Sequence, residues 1–208
     1  MDRANALRNE AVPHRIPLEE DMRKRGLEVL GSCGKLSDDT DLLRGSPMLQ
    51  DFTPGEADLL GTTMLRVRAQ PGQLLIVEGE ASDWMMMLLS GTVDVIKRRI
   101  GADADDMDPS SAARLAVIKQ GAVIGEMSML DGEPRYASCC ALSQVDAAVL
   151  SRAAVSHLIA QHPAVGAKLL VKLTQLLAQR LRNTSSKLVK VLQEQRAEPV
   201  SGPGPGTT

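Results

Sequence analysis

Aromatic side chains are nearly absent from this sequence of 208 residues, which contains one Phe, one Trp and one Tyr. A core without them must be packed from Leu, Val, Ile and the ten Met residues. Single-stranded nucleic acid would find almost no stacking surface on such a protein. The net charge of -2 also lacks the basic excess that accompanies bulk binding of nucleic acid. Both deficits disfavour a nucleic-acid-binding role.

Cysteine and long apolar runs are scarce as well. The three cysteines are odd in number, and Cys139 and Cys140 are adjacent on a predicted strand, so a disulfide framework is not expected. No CxxC motif or Cys/His cluster predicts a metal site. No apolar stretch approaches the roughly 20 residues that a membrane span needs, and the N-terminus leads into charged residues rather than a signal segment. We therefore expect a cytoplasmic protein without a metal or a membrane span.

Composition and periodicity divide the chain into four regions. Residues 1–45 are polar and rich in turn formers, which predicts a flexible arm with one helix near Leu18 to Leu30. Residues 46–162 contain short strands separated by glycine turns, a pattern that indicates an all-β roll. Residues 163–195 carry Leu and Val at spacings of three and four, which predicts a long helix. Residues 196–208 form a Pro/Gly tail that is expected to be disordered.

One acidic stretch interrupts two strands of the predicted roll, at residues 101–111. Its aspartates could suggest a calcium loop, but it lacks the glycine and the closing glutamate of an EF-hand. We therefore interpret this stretch as a solvated hairpin insertion.

The segment 125–138 carries the strongest functional signal. Glu126 and Arg135 lie nine positions apart, with a predicted helical turn, an Asp-Gly turn and a proline between them. The start of such a helix offers free N–H groups to an anion. Arg135 supplies a fork of donors for phosphate oxygens, and Glu126 can accept a hydrogen bond from a sugar hydroxyl. The segment predicts a site for a phosphorylated ribose; the alternative is a tight turn held by a Glu126–Arg135 ion pair.

This segment resembles the phosphate-binding cassette of the cyclic nucleotide-binding domain family, in which a Gly-Glu pair, a small residue and a Gly-x-Pro-Arg sequence follow in the same order. The resemblance covers about residues 46–195 and is nearest to the catabolite activator branch. It implies an α+β, mainly β fold: a jelly-roll or cupin-like β-roll with flanking helices and a long C-terminal dimerisation helix. The ligand-binding residues that it implies are Gly125, Glu126, Met127, Ser128, Arg135, Tyr136, Ala137, Thr184 and Ser185.

The resemblance also implies a role for most of these residues. Glu126 would bind the ribose 2′-hydroxyl, and Arg135 would bind the cyclic phosphate. Main-chain N–H groups near three residues would bind the exocyclic oxygens: Met127, Ser128 and Ala137. Tyr136 departs from the family pattern, in which a small residue follows the arginine. Its phenol could contact the nucleotide, or it could crowd the pocket and change the preferred base.

Two adjacent hydroxyl residues interrupt the apolar stripe of the long helix. Thr184 and Ser185 match the Thr-Ser pair with which the catabolite activator branch contacts the adenine amino group. In that branch the Thr belongs to the same subunit as the pocket, and the Ser reaches in from the partner subunit. Simple exposure to solvent is the alternative. The stripe itself predicts a parallel helix pair in a homodimer, with Leu173 and Leu177 on its seam.

These observations predict a stand-alone bacterial regulatory protein that binds a cyclic nucleotide and signals through a partner protein. Cyclic AMP is the expected ligand, and cyclic GMP is the second candidate. No catalytic constellation is present, so an enzyme is not expected. No helix-turn-helix is expected after the long helix, so direct DNA binding is not expected either. An interaction module with an idle pocket, a cyclic di-GMP receptor and a nucleotide-cleaving enzyme are the alternatives.

Overall fold

A computed structural model describes residues 17–98 and 112–197, except for the side chains of residues 112 and 195–197. The predicted hairpin insertion and most of the predicted tail lie outside these ranges. Strands and helices occupy most of the rest, and their order along the chain agrees with the predicted β-roll followed by a long helix.

Two antiparallel sheets form the roll. Their strands are β1 (Glu28–Ser32), β2 (Leu65–Ala69), β3 (Leu74–Ile76), β4 (Trp84–Ser90), β5 (Thr92–Arg98), β6 (Ala112–Lys119), β7 (Val123–Ile124), β8 (Ser138–Ala141) and β9 (Val145–Ser151). One sheet has the strand order β1-β2-β9-β4-β7, and the other has the order β3-β8-β5-β6. The predicted α+β fold with a β-roll is confirmed.

Helices flank the roll. They are α1 (Leu18–Lys24), α2 (Thr40–Gly45), α3 (Pro54–Thr62), α4 (Glu126–Asp131), α5 (Arg152–Gln161) and α6 (Pro163–Ala197), with a short 3-10 turn at Leu36–Asp38. Thr53 and Glu56 form a capping box at the start of α3, which satisfies N–H groups of its first turn. Within the ranges given above, none of these helices has the length and apolar content that a membrane crossing requires.

Strand β4 separates two clusters of buried side chains. Because successive residues of a strand face opposite sides, Trp84 and Met86 pack into one cluster, whereas Met85 and Met87 pack into the other. All four are almost completely buried. Methionine therefore fills the core on both faces of the strand, as the scarcity of aromatic residues predicted.

Residues 18–45, which were predicted as part of a flexible arm, instead belong to the folded domain. Strand β1 pairs with β2 in the first sheet, and Met22 and Leu27 are buried in the core. The helix predicted in this region ends at Lys24. Gly26 then adopts a φ of 78°, which reverses the chain into β1. The few apolar residues of this polar segment are enough to anchor it because they are completely enclosed.

The two halves of helix α6 have different surroundings. In the first half, Leu169 and Leu173 have no exposed surface and pack into the core of their own chain. The prediction that Leu173 lies on a dimer seam is therefore wrong, because the roll and α5 already cover it. In the second half, three leucines are between 50% and 69% exposed: Leu181, Leu188 and Leu192.

Candidate functional site

The residues from 125 to 135 bring Arg135 back to the start of helix α4. Gly125 precedes the helix with a φ of 74°, and Gly132 ends it with a φ of 84°, both in the left-handed region that favours glycine. Nη1 of Arg135 donates a hydrogen bond to the main-chain O of Gly125 at 2.5 Å. The arginine thus lies beside the start of helix α4.

Gly125 is also required by its neighbours. A Cβ atom at this position would lie 2.3 Å from Nη1 of Arg135 and 2.9 Å from Cδ1 of Ile76. Any side chain would therefore displace the guanidinium, so this glycine both turns the chain and makes room for the arginine.

The guanidinium of Arg135 is buried, with 3% of the residue exposed. Its Nη2 donates to the main-chain O of Trp84 at 2.6 Å, and its Cζ lies 4.2 Å from the centroid of the Trp84 ring. Its Nε has no hydrogen-bond partner among the residues that the structure describes. Burial, and next the positive charge of Arg25, lower the pKa of Arg135 to about 10. The group is thus a desolvated cation with an unused donor, which an anion would stabilise.

The carboxylate of Glu126 pairs with Arg180 of helix α6 rather than with Arg135. Glu126 is 1% exposed, and its Oε1 accepts a hydrogen bond from Nη1 of Arg180. Nη2 of Arg180 also donates to the main-chain O of Val123. The alternative of a turn closed by a Glu126–Arg135 ion pair is wrong, because each charged group has other partners.

Arg180 is a site residue that the sequence reasoning missed. It precedes Thr184 by four positions, so the two side chains share one face of a helix. Once Thr184 is predicted to face a pocket, that spacing is a signal that Arg180 does too. Nothing local in the sequence, however, pairs Arg180 with a carboxylate 54 residues away.

The cassette, the second sheet and helix α6 enclose a cavity of about 410 Å³. This volume is within the range of small-molecule sites, roughly 300 to 1,000 Å³. The structure brings eight of the predicted residues to its wall: Gly125, Glu126, Met127, Ser128, Arg135, Tyr136, Ala137 and Thr184. Ser185 does not line it. Helix α6 contributes three further residues that the sequence reasoning did not select: Arg180, Asn183 and Lys187.

Tyr136 lies at the edge of the cavity rather than inside it. The residue is 59% exposed, and Nζ of Lys97 lies 4.3 Å from its ring centroid. The same Nζ donates to the main-chain O of Tyr136 at 2.7 Å. The residue lines the cavity and is also largely exposed to solvent, so a role for its phenol in contacting the nucleotide or in changing the preferred base stays a prediction.

Comparison with known proteins decides the family. A crystal structure of a cyclic nucleotide-binding domain from Methylobacillus flagellatus aligns with a TM-score of 0.69 and 34% identity, over 81% of this chain and 90% of that one. Residues 66–162 also match the family model described as the cyclic nucleotide-binding domain. This chain belongs to the cyclic nucleotide-binding domain family.

Two curated relatives are similar to this chain in sequence. The cyclic AMP receptor protein of Thermus thermophilus is 28% identical over 146 residues, which are 70% of this chain and 62% of the relative. A cAMP-dependent protein kinase regulatory subunit of Yarrowia lipolytica is 27% identical over 117 residues, which are 56% of this chain and 28% of the relative. The chain thus spans less than two thirds of the length of these relatives. One of these relatives is a receptor for cyclic AMP, and the other is a regulatory subunit of a protein kinase.

Proposed function

We propose that this domain is a receptor for cyclic AMP that signals to a partner protein through helix α6. The observation that carries the proposal is the buried guanidinium of Arg135, which lines the cavity with its Nε lacking a protein acceptor. An uncompensated buried charge costs several kcal/mol. A cyclic phosphate would supply both the opposite charge and the missing acceptor.

The rest of the cavity suits the other parts of a cyclic nucleotide. Glu126 can accept a hydrogen bond from a ribose hydroxyl, which would share the carboxylate with Arg180 or replace it. The main-chain N–H groups at the start of α4 favour an anion. Thr184 of helix α6 supplies a hydroxyl at the wall of the cavity, which is available to the base. A single cavity of about 410 Å³ suits one nucleotide better than the two joined nucleotides of cyclic di-GMP.

We also propose that two copies of the chain pair through the second half of helix α6. The exposed residues Leu181, Leu188 and Leu192 follow one another at spacings of seven and four, with Ser185 between them, which is the pattern of a coiled-coil seam. These four residues form the apolar seam. Ser185 is exposed and does not line the cavity of its own chain, so in the proposed pair it would face the second copy.

Isothermal titration calorimetry with cyclic AMP, cyclic GMP and cyclic di-GMP tests the proposed receptor. We expect cyclic AMP to bind most tightly. We expect Arg135→Ala to lower that affinity at least about a hundredfold, because a charge-assisted contact to phosphate is lost. Arg182→Ala, which removes an exposed arginine from α6, is the matched control and should bind normally. Wild-type protein that binds none of the three ligands would favour the alternative of an interaction module with an idle pocket.

Two further expectations stay predictions from the sequence. They are the cytoplasmic location and the lack of direct DNA binding. Neither bears on the calorimetric test, because ligand binding is measured on the isolated chain.

A further inference from the structure

Trp84 contacts two arginine side chains from distant parts of the sequence. Its ring centroid lies 4.2 Å from Cζ of Arg135 and 5.1 Å from Cζ of Arg25. Trp84 is 2% exposed, so both contacts act away from bulk water, where cation–π attraction is stronger than at an exposed surface. The arginine assigned to the phosphate therefore rests on a ring that also touches the N-terminal part of the domain.

Helix α1 fixes the position of that ring through its charged residues. Nε1 of Trp84 donates to Oδ2 of Asp21 at 2.8 Å. Oδ1 of Asp21 accepts from Nε of Arg25 at 3.2 Å, and Nη1 of Arg25 donates to Oε2 of Glu80 at 2.6 Å. The main-chain O of Glu80 in turn accepts the N–H of Arg135 at 2.9 Å. A closed circuit of contacts thus runs from α1 through Trp84 to Arg135, and from Arg135 through Glu80 and Arg25 back to α1.

Arg135 depends on such support because it lies in the loop between α4 and β8. A planar guanidinium binds phosphate through two parallel hydrogen bonds only when its plane is correctly oriented. The Trp84 ring supplies a flat surface against that plane, and the main-chain O of Trp84 holds Nη2. Displacement of the ring would therefore tilt the guanidinium without removing it.

We propose that Trp84 is a positioning residue for Arg135, and that helix α1, through Asp21 and Arg25, sets the affinity of the phosphate subsite. This inference rests on the proposed function, since it requires Arg135 to bind the phosphate. It gives α1 a role that the resemblance does not assign to it. Because binding couplings are reciprocal, a ligand that turns Arg135 toward its phosphate also changes the environment of α1.

Calorimetry on Arg25→Met tests this coupling. The substitution keeps the length of the side chain but removes its charge and its bonds to Asp21 and Glu80. We expect affinity for cyclic AMP to fall roughly fivefold, the size of one partly buried cation–π or ionic contact. Arg23→Met is the matched control on the same helix. Within the part of the chain that the structure describes, the one ion pair of Arg23 is with the exposed Glu19, at 3.3 Å. This control variant should change affinity less than about twofold.

Two ratios of ligand affinities separate a positioning role from a general weakening of the domain. Cyclic AMP and its exocyclic phosphorothioate differ only at the phosphate, whereas cyclic AMP and cyclic GMP differ only at the base. Arg25→Met should change the first affinity ratio and leave the second unchanged. If this variant does not fold, Asp21→Asn, which weakens both the support of Trp84 and the ion pair with Arg25, takes its place in the same comparison.

The ligand-induced signal offers an independent readout, because Trp84 is the only tryptophan of the chain. Titration of wild-type protein with cyclic AMP should change tryptophan emission with the midpoint found by calorimetry, and Arg135→Ala should abolish the change. Wild-type protein that does not bind cyclic AMP overturns the proposed function. Normal binding with equal affinities for the Arg25→Met and Arg23→Met variants, or with both ratios shifted alike, overturns the role of α1 and leaves the receptor proposal standing.

Discussion

Arg180 of helix α6 and Glu126 of helix α4 form an ion pair at the wall of the cavity. The carboxylate proposed to bind the ribose is therefore held by the helix proposed to transmit the signal. A ligand that competes for Glu126 changes a contact of α6 in the same step. Such a ligand can shift the helix only to the extent that it binds the two arrangements with different affinity.

Arg180→Ala should loosen the second half of helix α6 in the ligand-free protein. The contacts of Arg180 with Glu126 and with the main-chain O of Val123 are both lost, and hydrogen bonds to charged groups contribute about 1.5 to 3 kcal/mol each. Hydrogen exchange of residues 181–194 should then become at least roughly tenfold faster. Arg182→Ala, on the solvent side of the helix, should leave exchange unchanged. Equal exchange rates in both variants would mean that the ion pair does not hold the helix.

Gly125→Ala should lower both stability and ligand binding. The left-handed backbone conformation costs a non-glycine residue about 1 to 2 kcal/mol, and the added Cβ would lie 2.3 Å from Nη1 of Arg135. Gly72→Ala is the matched control, because Gly72 has a φ of 85° and no atom within 4 Å of its Cβ position. Thermal unfolding should show a loss of stability in both variants, whereas calorimetry should show weakened binding of cyclic AMP in Gly125→Ala alone. Equal binding of cyclic AMP by the two variants would contradict the close approach between position 125 and the guanidinium of Arg135.

Glutamate in the apolar seam should prevent dimer formation. In the double variant Leu181→Glu and Leu188→Glu, like charges would meet across the seam, while the intrachain core stays intact because both leucines are more than half exposed. Sedimentation velocity should then give a monomer with a normal unfolding transition. Leu173→Glu serves as the contrast, since it places a charge in the core and should unfold the domain. A double variant that still sediments as a dimer would exclude this seam.

The cassette could be predicted from sequence because its geometry is set locally. Two glycines, an Asp-Gly turn and a proline fix the path from Gly125 to Arg135, and each acts on its immediate neighbours. The predicted helical turn is observed as α4. The side chains of Glu126 and Arg135 were expected to face the ligand, and both line the cavity. Their separate partners in the protein were not predicted.

The features that sequence reasoning missed depend on contacts between distant residues. Met22 and Leu27 are apolar residues in a polar segment, and packing against residues from distant strands encloses them. Helical spacing places Leu173 on an apolar face, but it does not say whether that face meets its own roll or another chain. The partner of Arg180 lies 54 residues away in the sequence. In each case the local pattern specifies an element, and the packing of that element decides the role of its side chains.

Stability should fall in acid as Asp146 loses its charge. This carboxylate is 5% exposed and accepts hydrogen bonds from Nε and Nη2 of Arg68 at 2.7 and 3.0 Å and from Nη2 of Arg66 at 2.6 Å. The bonds from Arg68 are the first cause that lowers the pKa of Asp146 in the folded protein. Its stabilisation is thus fully present above the ordinary aspartate pKa of about 3.9 and is lost as the pH falls through the lowered value.

Asp146→Asn isolates this contribution, because the amide keeps the shape of the carboxylate without its charge. Urea unfolding at pH 7 should show a loss of about 1.5 to 3 kcal/mol relative to wild type, as for hydrogen bonds to a charged group. The difference should shrink below about pH 4, since the wild-type carboxyl becomes neutral there as well. Asp41→Asn, at an exposed position in the first turn of α2, should lose less than about 1 kcal/mol at either pH. Only a charge-dependent contact between β2 and β9 disappears when the carboxyl is protonated. If the difference in unfolding free energy between Asp146→Asn and wild type stayed constant down to low pH, the loss would therefore come from packing.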